Sequence, residues 1–256
     1  MKANKSAGTA LVNWEEELAK EAAEDSARTQ MPGGQFISFQ GGVLSIGGQE
    51  LAEDSVPIVV LDFVYEHDYF AGAYVPDKPQ SPVCFALSRD GKDMAPAPES
   101  VDKQHDTCLG CPHLVWGTAR GNDGSKRKGK ACQERVRLAF LAGNELSAGG
   151  IADGESLFAR LPVTSVKGWN YYAKGLQENM KRPVWSVITE LKLQKSKKNQ
   201  FNVVFTMKDL VPDEYLRAVK TRHDAMVKDI MFPYTGAATE ESDPEAADAP
   251  KKRARY

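Results

Sequence analysis

The chain has 256 residues, 41% of them hydrophobic, enough for one substantial domain or two small ones around a buried core. Its 33 basic and 35 acidic residues nearly cancel, to a net charge of −2, and no apolar run approaches the length of a membrane helix. A helical membrane protein is thereby excluded, and a soluble, cytoplasmic protein is expected. The near-neutral total hides a segregation, with acid at the N-terminus and in the C-terminal tail and base in the middle.

Residues 1–30 read as an acidic arm. Asn13 can cap a short helix whose first turn carries Glu15, Glu16 and Glu17, running to about residue 27 with a thin apolar stripe of Trp14 and Leu18. From residue 35 the apolar period changes to two. Residues 36–39 and 43–46 predict a hairpin with glycine turns, and 58–65 a more deeply buried strand. Glu66-His67-Asp68 reads as a turn into a strand over 69–74, and 82–87 completes a sheet of four or five strands. Residues 95–98, Ala-Pro-Ala-Pro, read as a spacer. Residues 133–142 predict a strand more than a short helix, and 157–161 a further strand ended by Pro162. Thr164-Ser165 then caps a helix with Val166, Trp169, Ala173, Leu176 and Met180 on one face. Two strands over 184–193 and 200–207 flank a lysine-rich hairpin tip that includes Lys195 and Lys197. A last helix over 212–231 buries Leu216, Val219, Met226 and Ile230, and residues 235–256 form a disordered tail.

The four cysteines organise the middle of the chain. Cys84, Cys108, Cys111 and Cys132 follow the spacing C-x23-C-x2-C-x20-C, and Gly110 suits the tight turn that puts Cys108 and Cys111 on one ion. Four thiolates fill a tetrahedral zinc shell and leave no open position for water, so the expected Zn2+ is structural. Two disulfides and four free structural cysteines are the rival readings, the first disfavoured by the absence of a signal peptide. His105 or His113 stands close enough in sequence to replace one thiolate. A metal would staple the long insertion 84–132, which otherwise lacks regular structure.

The same insertion carries the densest positive charge: Arg120, Lys126, Arg127, Lys128 and Lys130, with Arg135 and Arg137 behind them, against only Asp123 and Glu134. Such a run is either a solvated loop or, held by a metal, a phosphate-binding patch. Aromatic residues interleave with it. Tyr69, Tyr74 and Trp116 are expected to be exposed and to stack bases, and Trp169 to be core. The tail carries Glu240, Glu241, Asp243, Glu245 and Asp248, a tethered polyanion able to occupy a cationic groove or recruit a basic partner. HExxH, Walker and GxSxG motifs are absent, as is the zinc-deaminase pattern. Asp62, Glu66, His67 and Asp68 are the one local grouping a nuclease could use, and a turn explains them more simply. No enzyme is expected.

Pro82-Val-Cys84, Cys108-x-x-Cys111-Pro, Trp116-Gly, Gly129-Lys-Ala-Cys132 and Leu161-Pro-x-Thr-Ser165 before a tyrosine-bearing helix resemble a group of tailed-bacteriophage early proteins over about residues 35–232. That group is similar in design to phage single-stranded DNA-binding, helix-destabilising proteins. The resemblance implies an antiparallel OB-like β-barrel, the four cysteines as zinc ligands, and Lys128 and Lys130 as phosphate contacts. It also implies coating of single strands in DNA replication or recombination and contacts to phage or host replication proteins. The chain departs from that pattern by ending in Lys251-Lys-Arg-Ala-Arg255-Tyr256, where such tails finish acidic. The expected whole is an α/β (α+β) protein: arm 1–30, an OB-like domain 31–234 with the zinc insertion and flanking helices, and tail 235–256. It would bind single-stranded DNA or RNA without sequence preference, in the host cytoplasm if phage-encoded. The alternative is a zinc-stapled interaction factor that grips host RNA polymerase or another nucleic-acid enzyme.

Overall fold

A fifteen-residue strand, Ser55–Tyr69 (β4), is the spine on which the other elements are hung. The computed structural model describes residues 35–46, 49–72, 80–121, 123–144, 146–195 and 201–234. The expected arm 1–30, Tyr74, Lys197 and the tail lie outside them. Before the spine come β1 (Gln35–Ser38), β2 (Ser45–Ile46) and β3 (Gln49–Glu50). After it come β5 (Cys84–Ser88), β6 (Gln133–Ala142), α1 (Ala148–Asp153), β7 (Leu157–Arg160), α2 (Val163–Gly175), β8 (Val187–Lys195), β9 (Phe201–Leu210) and α3 (Asp213–Asp229).

The strands form one sheet in the order β3-β2-β1-β7-β6-β4-β8-β9, with β5 added to the free edge at the end of β4. The sheet curls strongly into a half-barrel, and the chain is a mixed α/β protein with three helices among the described residues. It is not wholly antiparallel, as expected from the resemblance: β1 runs parallel to β7, with Phe36 opposite Phe158. A parallel neighbour needs a long crossover, and the whole of β4 to β6 provides it.

Strand alternation builds two cores. Ile58 and Val60 of β4 join Leu138, Phe140, Leu191, Val203 and Phe205 inside the curl, around the fully buried Trp169 of α2. Val59 and Leu61 face the other way, against Val219 and Met226 of α3 and Ile230 just after it. A bulge between Val60 and Asp62 then reverses the parity, so Phe63 and Tyr65 face the inner core while Val64 and Glu66 face outward. The polar groups at the bulge are satisfied from outside. His223 of α3 donates from Nδ1 to the Leu61 carbonyl at 2.6 Å, and Arg89 binds Asp62 at 2.7 Å.

Three local expectations are corrected. Glu66-His67-Asp68 is no turn but the last part of β4, paired on one side with β5 and on the other with β6, and the strand ends at Tyr69. Thr164-Ser165 lie inside the first turn of α2 behind Pro162; the Ser165 hydroxyl instead accepts from the Val203 amide at 2.8 Å, tying helix to strand. Met180 is exposed because α2 widens into a π-helical turn, Leu176–Met180, which rotates it off the apolar stripe.

The curl brings its two ends together at Gly42. This residue has φ +77°, and the Phe201 ring at the start of β9 occupies the space a β-carbon would need. Gly42→Ala is therefore expected to destabilise the protein by about 1–3 kcal/mol, read from the urea midpoint, through backbone strain and displacement of that ring. A midpoint equal to wild type would mean that this closure carries no stability.

Candidate metal centre and basic loop

The inner face of the end of β4 continues past Tyr65 to His67 and Tyr69, and in the antiparallel register Tyr69 stands opposite Cys84 and His67 opposite Ala86. The insertion folds back over this end. Its first part is not the free spacer expected. Ala97 donates to the Phe85 carbonyl at 2.7 Å, Asp102 to that of Val83 at 2.9 Å, and the Ser100 hydroxyl binds both the Phe85 amide and carbonyl. These bonds cover the outer edge of β5, which an open strand would leave unpaired. The Cys108 amide is then bound to the Met94 carbonyl at 2.8 Å, with Met94 buried beneath.

Cys108 to Cys111 form the expected knuckle. The Cys111 amide donates to the Cys108 carbonyl at 3.2 Å, and Gly110 takes φ +87°, a conformation that residues with a β-carbon rarely adopt. Pro112–Leu114 make one 3-10 turn, and the His113 carbonyl accepts from the Cys132 amide at 2.9 Å, so the returning strand closes the loop beside the knuckle. His113 stacks on Tyr69, with ring centroids 4.1 Å apart.

All four cysteines, with His67, His105 and His113, consequently line one partly open cavity at the end of β4. All are free thiols; Cys84, Cys111 and Cys132 are buried and Cys108 half-buried. Burial, and then the neighbouring Cys84 and Cys111, push the Cys108 thiol up to about 11. Burial, Asp68 and the other three cysteines push Cys132 higher still. Such mutual influence requires proximity, and a cation among the sulfurs would reverse its sign. As the side chains stand, no three of the His, Cys, Asp and Glu among the described residues form a group that could hold a metal ion. Of the histidines, His105 Nδ1 lies 2.9 Å from the Thr107 carbonyl, whereas His67 keeps Nδ1 without a hydrogen-bond partner and Nε2 3.9 Å from Glu134. Burial lowers the pKa of His67, favouring the neutral ring.

Residues 117–121 and 123–130 form an irregular hairpin. The Gly117 amide binds the Gly129 carbonyl, Arg127 binds Ala119, and Arg120 bridges to Lys126. The Thr118 hydroxyl pins its base, donating toward the Val115 carbonyl and accepting from the Ala131 amide. Arg120, Lys126, Arg127 and Lys128 are exposed on this hairpin, and Trp116 at its foot is 72% exposed, as its sequence context predicts. Lys130 is held by Glu134.

Other sequence candidates lie elsewhere. Tyr69 is half-buried with one face taken by His113, so it is part of the cavity wall and no free platform. Lys195 is exposed, but β8 meets β4 only over Ser55–Ile58, at the strand's opposite end. Ser55 pairs with Lys192 and Tyr69 with Cys84, so Lys195, three residues beyond Lys192, stands roughly 55 Å from the cysteines counted along the strand direction at about 3.3 Å per residue.

Arg135 and Arg137, counted with the basic run, point to the other face. Arg137 is completely buried; its Nε meets Glu66 at 2.7 Å, and it donates to the carbonyls of Ile230 and Phe232. Tyr234 donates its hydroxyl to the same Glu66, and Arg135 Nε sits 2.9 Å from the buried Asp68. Burial raises Asp68 to about 6, with Arg135 opposing. The Arg137 guanidinium lies over the Phe232 ring at 4.3 Å and that of Arg160 over Tyr234 at 4.2 Å. This network escaped the sequence reading. Its available signal was the spacing of two in both strands, Glu66 and Asp68 against Arg135 and Arg137.

Comparison with known proteins identifies no relative: no protein-family model, no curated protein and no solved structure matches this chain.

Proposed function

We propose that this protein binds single-stranded nucleic acid, DNA or RNA, through a cationic, tryptophan-bearing loop that a structural zinc ion ties to an OB-like half-barrel. The observation that carries this reading is the convergence of four free thiols, from β5, the 108–111 knuckle and the approach to β6, on one cavity, in an insertion that also carries the exposed Trp116 and four exposed cations. The donor set fits zinc chemically, since four thiolates fill a tetrahedral shell. Cys84, Cys108, Cys111 and Cys132 would hold the metal, whose contribution is a fixed fold for the loop. His67 supplies a nitrogen at the same cavity.

A binding role is favoured over a catalytic one because the carboxylates nearest to a nuclease set are already committed: Glu66 to Arg137 and Asp68 to Arg135. Coating of single strands in phage replication or recombination, with tail-mediated contacts to replication proteins, is the biological role the resemblance supports. A zinc-stapled factor for host RNA polymerase or another nucleic-acid enzyme is the second reading, favoured by the exposed Val101, Leu109 and Val115 around the same loop.

Fluorescence anisotropy with labelled single- and double-stranded oligonucleotides tests the proposal. Binding to single strands should lose affinity with salt at a slope of about −0.7 per phosphate, so four engaged cations predict roughly a 50-fold loss over a fourfold rise in salt. Equal affinity for duplex would sink the single-strand reading. Retention of a stoichiometric host enzyme without oligonucleotide binding would select the second one.

A further inference from the structure

The outer face of α2 has features the fold does not explain. Its inner residues, Trp169 with Val166 and Ala173, fill the curl. On the opposite side Tyr171 is 65% exposed, and Lys167 Nζ reaches over its ring at 5.5 Å from the centroid. Lys174, one turn on, is exposed beside it and paired only loosely with Glu178 at 3.6 Å. Gly168 lies one turn before Tyr171 and Gly175 one turn after, on the same stripe. A β-carbon on Gly168 would meet no atom within 4 Å, and on Gly175 only Asn179 Nδ2 at 3.9 Å. Glycine inside a helix is unfavourable relative to alanine, so two of them with open space above have no packing reason. They leave bare backbone on either side of an aromatic ring, a shape that admits a flat group lying against the tyrosine.

The position of this face connects it to the basic loop. Tyr65 donates its hydroxyl to Asn170 Oδ1, the residue before Tyr171, at 3.1 Å. Tyr65 shares the inner face of β4 with His67 and Tyr69, so the strand position that α2 contacts and the cavity wall at Tyr69 are about 13 Å apart along one strand. We infer that α2 carries a second contact for the strand bound at the loop, with Tyr171 stacking a base and Lys167 and Lys174 holding the flanking phosphates. This rests on the nucleic-acid reading above. The charge of the lysines and the planar gap select a nucleic-acid strand as the occupant. Chain leaving Trp116 would cross the Tyr65–Asn170 contact and end on α2, within the site sizes such folds cover.

The test uses the full chain, oligothymidylates of about 5 and about 15 nucleotides, and the variants Trp116→Ala, Tyr171→Ala and Gly168→Leu. Tyr171→Ala should weaken the longer oligonucleotide about 5- to 20-fold and leave the shorter one, which the loop alone can hold, unchanged. Gly168→Leu should also weaken the longer one while its melting temperature stays level or rises, because leucine favours helix but fills the gap. Photo-crosslinking of iodouracil-substituted strands should mark the peptide containing Tyr171. Wild-type affinity in both α2 variants, with loss only in Trp116→Ala, would overturn the second contact and keep the loop reading. Failure of the wild-type chain to bind either oligonucleotide would overturn both.

Discussion

Replacing Arg137 with methionine is expected to destabilise the protein by about 3–5 kcal/mol, because the fully buried Glu66 would lose its close cation and keep only the part-exposed Arg160, at 3.5 Å. Two backbone carbonyls, of Ile230 and Phe232, would lose donors at the same time. The effect is legible as a fall in the urea midpoint at unchanged slope. Changing both members, Glu66→Leu with Arg137→Met, should restore much of the loss, since two apolar groups need no counter-charge. The exposed Arg120, altered to methionine, should move stability by less than about 0.5 kcal/mol. If Arg137→Met matches Arg120→Met, the network is no structural keystone. Its position gives it reach: it fastens residues 230–234, after α3, to the outer face of β4 and β6, and Tyr234 packs on Phe85 next to Cys84.

Removal of metal should have the second large effect. Treatment with a chelator and reductant, or Cys132→Ser, is expected to loosen residues 105–132 and to lower single-strand affinity at least about tenfold, because the cations would no longer be held in one patch. Native mass spectrometry should find one zinc per chain in the wild type and none in the variant. Hydrogen exchange should rise across the Cys108–Cys111 knuckle and the Thr118 hydrogen bonds, while the amides between β4 and β6 stay protected. A chain purified without metal, whose exchange and binding ignore added zinc, would leave the four thiols as ordinary cavity lining.

Much of the architecture was legible along the chain because most elements carry a local period. The strands over 133–142, 157–161 and 200–207, the Trp169 stripe and the Val219, Met226 and Ile230 stripe all appear close to where apolar spacing places them. The knuckle was legible for a similar reason, since two residues with a glycine between cysteines is a local turn with local chemistry. Exposure of Trp116 followed from the polar, glycine-rich stretch around it.

What failed were inferences about charged and aromatic side chains whose partners lie far away in sequence. Glu66, His67 and Asp68 look like a turn because three ionisable residues interrupt an apolar run; only the pairing of β4 with β5 and β6 makes them strand, and only Arg135 and Arg137 make their burial tolerable. Those arginines in turn resembled part of the basic loop until alternation along β6 sent them to the opposite face. Tyr69 was read as a platform, and His113, far along the insertion, covers it. Lys195 and the loop shared a charge sign but not a place. By itself, then, the sequence determined the set of elements, the cysteine knuckle and the cationic loop, since each depends on neighbours within a few residues. Tertiary structure alone decided which cations are free, which carboxylates are neutralised and that Tyr69 is covered. The reason is that strand register, reversed once by the bulge after Val60, assigns each side chain a face, and no local pattern records that reversal.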